Sequence, residues 1–304
     1  MTIQEFKKTA IKNLTNSPSA SLDVNVLLEY SLKQNKTWLL THSDENLSEK
    51  QLAFLTKAIE KRKTGLPIAY ITGHKEFYGY DFVVSPDVLI PKPDTEILVE
   101  NAIDEIIAKM EANPDIILSI CDMCTGSGCI AISVLLSLIN DYKIPSEKLP
   151  KFTLADISSA ALEVARQNAK RLLTSKEAEE LRFIQTNLFS EVPFTFDLIL
   201  TNPPYIPQKM VTSLLKDGRN EPRLALDGDV DFFGKPTAKN DGLGIITRLI
   251  PECYEHLAYN GVLIMETGEY NAVSTKMLFD QNNFRCTKIF KDLEGQDRNV
   301  YGVK

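Results

Sequence analysis

Two-thirds of the way along the chain, Asn202-Pro203-Pro204-Tyr205 combines an amide, two prolines and an aromatic ring. Pro203 holds Asn202 to extended backbone, and the prolines fix two φ angles and remove two N–H donors. What remains is a stiff set of acceptors: the Asn202 side-chain oxygen and a backbone carbonyl, that of Pro203. The Tyr205 ring adds a flat face beside them. Such a set suits a planar NH2 group, whose two N–H bonds would point at two fixed oxygens. An amide nitrogen is a poor nucleophile because its lone pair is delocalised into the carbonyl. Gripping both hydrogens favours a pyramidal nitrogen and aims the recovered lone pair at an electrophile. Catalysis of this kind is positioning and electrostatic preorganisation; a strong general base is not needed. The plain alternative is a proline-rich loop that only ends a strand.

A second cluster lies upstream. An apolar run leads into Asp122-Met123-Cys124-Thr125-Gly126-Ser127-Gly128, and a helical run follows. A strand, a tight glycine turn and a helix set backbone N–H groups beside a ligand. Asp156 ends the next apolar run, where a carboxylate can accept both hydrogen bonds of a ribose diol. Together they describe a nucleoside-containing cofactor and leave NAD and S-adenosylmethionine both open. The Gly126-x-Gly128 spacing, short of a full G-x-G-x-x-G, weakens the NAD reading. Cys121 and Cys124 have C-x-x-C spacing, but no second Cys pair or His cluster accompanies them, and His42, His74 and His256 are scattered. Buried thiols and no metal are expected.

These residues need a scaffold. Residues 1–66 read as helices only, over 3–14, 21–32 and 48–63 with a further short one. Ser48 is a candidate N-cap. Residues 67–91 turn β-rich, with Ala69-Tyr70-Ile71, Glu76-Phe77-Tyr78 and Phe82-Val83-Val84 separated by Gly73 and Gly79, and predict a hairpin linker. From 92 to 304 a helix capped by Asp94 or Thr95 is followed by alternating strands and helices, the strands at 116–121, 152–155, 182–185, 196–200, 262–265, 285–290 and 298–303. That alternation predicts a doubly wound, mostly parallel sheet, which binds ligands at the C-terminal strand ends. Asn140–Lys151 and Val230–Asn240 are expected to be surface loops.

Composition narrows the partners. A length of 304 residues accommodates two domains. A formal net charge of −7 argues against affinity built on neutralising phosphates. The cysteine count is five, an odd number, which fits reduced thiols in a cytoplasmic protein. The longest nearly apolar run, Cys129–Ile139, is too short to span a bilayer, and the N-terminus lacks the apolar core of a signal peptide.

With the tetrapeptide and glycine turn in place, the chain resembles the amino methyltransferases that use S-adenosylmethionine. More closely, it is similar to the release-factor glutamine methyltransferases, the HemK/PrmC group. The resemblance is carried by Pro67-Ile68-Ala69-Tyr70-Ile71-Thr72-Gly73 with Glu76-Phe77, by Leu89 to Glu96, by the glycine turn with Asp156, and by Asn202 to Tyr205. Glu221 to Leu226, Asp241-Gly242-Leu243, Glu266-Thr267-Gly268 and Asp292 to Arg298 complete it. It implies a Rossmann-like methyltransferase domain with a small N-terminal helical domain, and those helices are expected to recognise the substrate. It also implies methylation of the side-chain nitrogen (N5) of the glutamine in a Gly-Gly-Gln loop of peptide release factors. Asn202, Pro203, Pro204 and Tyr205 would hold that amide. Glu221, a short distance beyond the tetrapeptide, is a candidate for shaping the substrate entrance, with a solvated loop acid as the alternative. Asp122, Cys124, Thr125, Gly126, Ser127, Gly128, Asp156, Asn187, Leu188 and Asn202 would meet the cofactor, Asp156 at the ribose and Asn187 and Leu188 near the adenine. Cys124 stands where the family usually has glycine, Lys92 where arginine is usual and Asn187 where aspartate is frequent. Adenine N6-methylation of DNA or RNA uses the same tetrapeptide on a flipped base, but the acidic composition and the helical N-terminus speak against it.

Overall fold

In the computed structural model, residues 1–231, 235–237 and 239–304 are described. The chain divides into one unit made of Met1–His74 with Ser213–Asn220 and a second made of Lys75–Thr212 with Glu221–Lys304.

The first unit is helical: α1 (Ile3–Asn13), α2 (Ala20–Leu32), α3 (Lys36–Thr41), α4 (Glu49–Lys63) and α5 (Ile68–Thr72). Ser48 caps α4 through a reciprocal pair with Gln51, and Lys61, Arg62 and Lys63 fill its last turn, where the helix dipole favours cations. Leu27 and Leu28 of α2 pack against Leu55 and Ile59 of α4 in one apolar cluster. The Arg62 guanidinium reaches Asp23 at 2.7 Å and ties α4 to α2. Residues 69–71 were expected to be extended, and they are helical in α5. Pro67 at the N-cap and Gly73 in left-handed conformation at the C-cap bracket that turn, and these end signals outweigh the β preference of Tyr70 and Ile71.

The hairpin follows as β1 (His74–Phe77) and β2 (Tyr80–Val83). Its two turn residues, Tyr78 and Gly79, both have positive φ, 52° and 77°, as a type I′ turn requires. A single 3₁₀ turn, Pro93–Thr95, opens α6 (Glu96–Ala112). Then come β3 (Ser119–Met123), α7 (Cys129–Asn140), β4 (Lys151–Asp156), α8 (Ser159–Leu172), α9 (Ser175–Glu180), β5 (Arg182–Gln185), β6 (Phe196–Thr201) and α10 (Gln208–Leu214). The chain ends with α11 (Gly244–His256), β7 (Leu257–Glu266), α12 (Ala272–Gln281), β8 (Arg285–Lys291) and β9 (Asp297–Val303).

Seven strands form one sheet in the order β5-β4-β3-β6-β7-β9-β8. Neighbours from β5 to β7 are parallel, and β9 pairs antiparallel with β7 and β8. This is the doubly wound α/β sheet expected from the alternation. Strand residues alternate between two cores: Ile120, Leu198 and Leu200 face α6, α7 and α8, while Cys121, Ile199 and Leu263 face α11 and α12. The order reverses between β3 and β6, the switch point at which such sheets open a crevice. Between α7 and β4, residues Asp141–Lys143 are exposed and Ser146–Lys148 form a 3₁₀ turn. Of the second expected loop, 232–234 and 238 lie outside the described residues; the rest carries a Val230–Pro236 bridge.

Candidate active site

Strand register assembles the site. Met123 lies beside Ala155 on one side and Thr201 on the other, and Thr201 lies beside Met265. The next residue along each strand is therefore Cys124, Asp156, Asn202 and Glu266, four side-chain-bearing positions in one row at the C-terminal sheet edge.

The glycine turn begins at Cys124, whose φ of 62° is left-handed. Gly126 follows with φ 54°, and a Cβ built on it would meet nothing within 4 Å. Bare backbone thus faces open space. Asp156 holds the turn: one carboxylate oxygen accepts the Gly126 N–H and the other the Ser158 N–H, both at 2.9 Å. Each oxygen keeps a further lone pair. Burial raises the Asp156 pKa, and these N–H donors counter it. Asp122 is fully buried behind the turn, where Oδ2 accepts the Thr125 hydroxyl at 2.7 Å and the Ala131 N–H at 3.3 Å. Burial pushes its pKa up to about 7.

Beyond the turn, Asn202 donates its Nδ2–H to Thr95 Oγ1 at 3.2 Å. Its Oδ1 makes no hydrogen bond among the described residues, so the amide oxygen is the end left for a ligand. Tyr205 donates its hydroxyl to Glu266 Oε1 at 3.2 Å, and its carbonyl accepts Asn271 Nδ2 at 3.1 Å. Gly242 presses on that carbonyl from behind: a Cβ there would lie 2.0 Å from it. Asp229, fully buried, accepts backbone N–H groups of Gln208, Asp241 and Gly242 and fixes the supporting loops. Burial pushes the Glu266 pKa up to about 7, opposed by the Thr95 hydroxyl and then by Arg298. Arg298 pairs with Asp292 at 2.9 Å and Asp94 at 3.3 Å. Lys92 reaches the buried Glu221 at 2.7 Å.

A cleft of roughly 770 Å³ opens on this edge. Of the residues expected to bind, Cys124, Thr125, Gly126, Ser127, Asp156, Asn202 and Pro204 line it. The others do not. Asp122 and Gly128 sit behind the turn, Gly128 close to Ile132, Ala165 and Leu154. Leu188 turns its side chain into the core shared by α11 and β6, and Asn187 accepts from Arg248 Nη2 at 3.5 Å. Pro203 is buried, Tyr205 packs on a core cluster, and Glu221 pairs with Lys92, which lines the cleft. The apolar wall comes from Val88, Leu89, Ile130, Ile157 and Ala161. Thr95, expected as a possible helix cap, makes no side-chain cap hydrogen bond and serves Asn202 instead. Sequence reasoning also left Glu266, Asn271 and Arg298 without roles. The signal for Glu266 was available: it ends a buried strand, as Asp156 does. All five cysteines are free, and among the described residues no cluster could hold a metal. No helix among them is long and apolar enough to cross a membrane.

Comparison with known proteins matches two stretches of the chain to family models. The family model described as PrmC N-terminal domain matches residues 5–73, and that described as methyltransferase small domain matches 99–220. Among solved structures, the hMettl16 catalytic domain in complex with MAT2A 3'UTR hairpin 6 shares the fold at TM-score 0.51 and 12% identity, covering 85% of this chain and 82% of that one. The release factor glutamine methyltransferase of Burkholderia pseudomallei is 36% identical, over 95% of this chain and 94% of that protein. That of Buchnera aphidicola, strain APS, is 33% identical over 100% of this chain and 99% of its own length. Similarity of that extent from end to end means that the chain belongs to the release factor glutamine methyltransferase family.

Proposed function

We propose that this protein transfers a methyl group from S-adenosylmethionine to the side-chain amide nitrogen of the glutamine in the Gly-Gly-Gln loop of a peptide release factor. The observation that carries the reading is the polarity of the Asn202 amide. One N–H of its NH2 group is given to Thr95 and its oxygen has no partner among the described residues, and an oxygen is what a substrate NH2 requires.

The cleft fits the cofactor. Gly126 leaves room where any side chain would intrude, Asp156 has spare lone pairs for a ribose diol, and Val88, Leu89 and Ile157 give apolar surface for a base. When bound, S-adenosylmethionine supplies an electrophilic methyl. The chain's part is to hold the nucleophile. Asn202 Oδ1, on the cleft wall, is read as accepting one N–H bond of the glutamine amide and the Pro203 carbonyl behind it as accepting the other, while Tyr205, held at both its hydroxyl and its carbonyl, steadies the tetrapeptide from the core side rather than lining the cleft. Such catalysis acts through fixed dipoles and geometry. The helical unit, matched by the PrmC N-terminal domain model, is read as the part that recognises the release factor. The reading takes the enzyme as cytoplasmic, because its substrate would belong to the translation machinery.

Labelled S-adenosylmethionine supplied with purified release factor, DNA or tRNA tests this. Label is expected on the release factor and is lost when the glutamine of its Gly-Gly-Gln loop is changed to alanine. Label on nucleic acid alone overturns the proposal.

A further inference from the structure

We propose that Asn271 is a positioning residue for the methyl transfer: its amide grips the peptide bond between Tyr205 and Ile206 and so sets the direction of the Pro203 carbonyl. This rests on the glutamine reading above for its substrate, but the grip itself is a property of this chain.

Pro203 and Pro204 lack N–H groups, so between Asn202 and Tyr205 the backbone has no donor with which to pin itself. Their φ angles are fixed and their ψ angles are not, and the ψ angle of Pro203 decides where its carbonyl points. Such a segment is held from its ends. Upstream, Thr201 sits in the sheet between Met123 and Met265. Downstream, the Tyr205–Ile206 peptide is fixed at both poles. The Ile206 N–H donates to the Leu226 carbonyl at 2.9 Å, and the Tyr205 carbonyl accepts Asn271 Nδ2 at 3.1 Å. With both poles held, the peptide plane cannot swing about either bond. The Tyr270 hydroxyl adds a longer donation to the same carbonyl, at 3.4 Å. Its ring lies so close over Gly268 that a Cβ there would be 2.7 Å from it.

Asn271 is singled out by what it gives up. It is the N-cap of α12 and 3% exposed, at a position where the oxygen of an asparagine ordinarily accepts an N–H of the first turn. Here the side chain makes no cap hydrogen bond, and Asn271 Oδ1 has no partner among the described residues. Buried acceptors are seldom left so. The reason lies in the partner chosen. A carbonyl only accepts, so the NH2 end of the amide has to face Tyr205, and the oxygen that would cap the helix stays unpaired. The helix end carries that loss, and the tetrapeptide gains a fixed donor.

The test uses the full chain and separates the two things an asparagine can do at this position. Serine caps helices as well as asparagine does but is too short to bring an amide donor to Tyr205. If Asn271 served only the helix, Asn271→Ser would keep both stability and rate. As a positioning residue, Asn271→Ser is expected to lower kcat on the release factor by roughly 10-fold or more, the scale of small misplacements of reacting groups. KM for S-adenosylmethionine and Tm should stay near their original values. A direct readout needs no substrate. In protein carrying tyrosine labelled with carbon-13 at the carbonyl, the Tyr205 signal, identified by its loss in Tyr205→Phe, should shift in Asn271→Ser. Full kcat in Asn271→Ser, an unmoved Tyr205 carbonyl signal, or a loss of kcat matched by a loss of Tm each overturn the grip. Failure of the unaltered protein to label a release factor overturns the glutamine reading instead, and the carbonyl signal still decides the grip.

Discussion

At the residue scale the structure turns on polarity at Asn202 and backbone conformation at Cys124. Replacing Asn202 by alanine removes the side-chain acceptor proposed to meet the substrate. Turnover should fall by roughly 10²-fold, the scale seen for single preorganised contacts in acyl-transfer sites. Equilibrium binding of S-adenosylmethionine, measured by calorimetry, should persist. Cys124 carries a side chain at φ 62°, which costs an L-residue roughly 1–2 kcal/mol per position. Comparing Cys124→Gly with Cys124→Ala isolates that cost, since both lose the thiol. The glycine variant should be the more stable by about 1 kcal/mol in urea unfolding, and equal midpoints would show that the turn relaxes. The sequence made both positions visible by residue type alone: an unusual side chain in a glycine turn and an Asn before two prolines. It hid Thr95, which reads as a helix cap because it precedes a helical run. Only the tertiary path of the 3₁₀ turn brings its hydroxyl to Asn202.

At the scale of elements, loops distant in sequence hold the tetrapeptide still. The segment Asp241-Gly242-Leu243 earns its place through contact rather than chemistry, since Gly242 lies against the Tyr205 carbonyl with φ 73°. Gly242→Ala adds a backbone strain of roughly 1–2 kcal/mol and forces Tyr205 aside. Activity should drop about 10-fold or more, as for small misplacements of reacting groups, with a lowered urea midpoint. Normal activity would mean that the loop is more pliant than its packing implies. Strand placement was legible because buried parallel strands write themselves as apolar runs. The helix at Ile68–Thr72 was misread for a definite reason: its interior favours strands, and only Pro67 and Gly73 mark it as a capped turn.

At the scale of the whole molecule, two carboxyl groups buried in the sheet edge make stability depend on pH. Burial raises Asp122 and Glu266 to about 7, above the ordinary carboxylate range they have when unfolded. Between those values the folded state binds more protons than the unfolded one. Their contribution is therefore fully present below the ordinary carboxylate range and is lost as pH rises toward 7. Urea unfolding across this window should show that loss, and Glu266→Gln should flatten part of it; an unchanged slope would assign the dependence elsewhere. The doubly wound architecture was legible from alternation, but the convergence of these acids was not, because it depends on register between strands far apart in sequence. The hairpin has its own connection to the cleft. Buried Asn168 on α8 accepts the Val83 N–H at 2.7 Å and donates to the Ser127 carbonyl in the glycine turn at 2.9 Å. The segment just after the hairpin, Asp87–Leu89, lines the same cleft. Occupancy of the cleft should therefore be audible at a distance: deuterium uptake at the Val83 amide slows when S-adenosylmethionine is added, and Asn168→Ala silences that report.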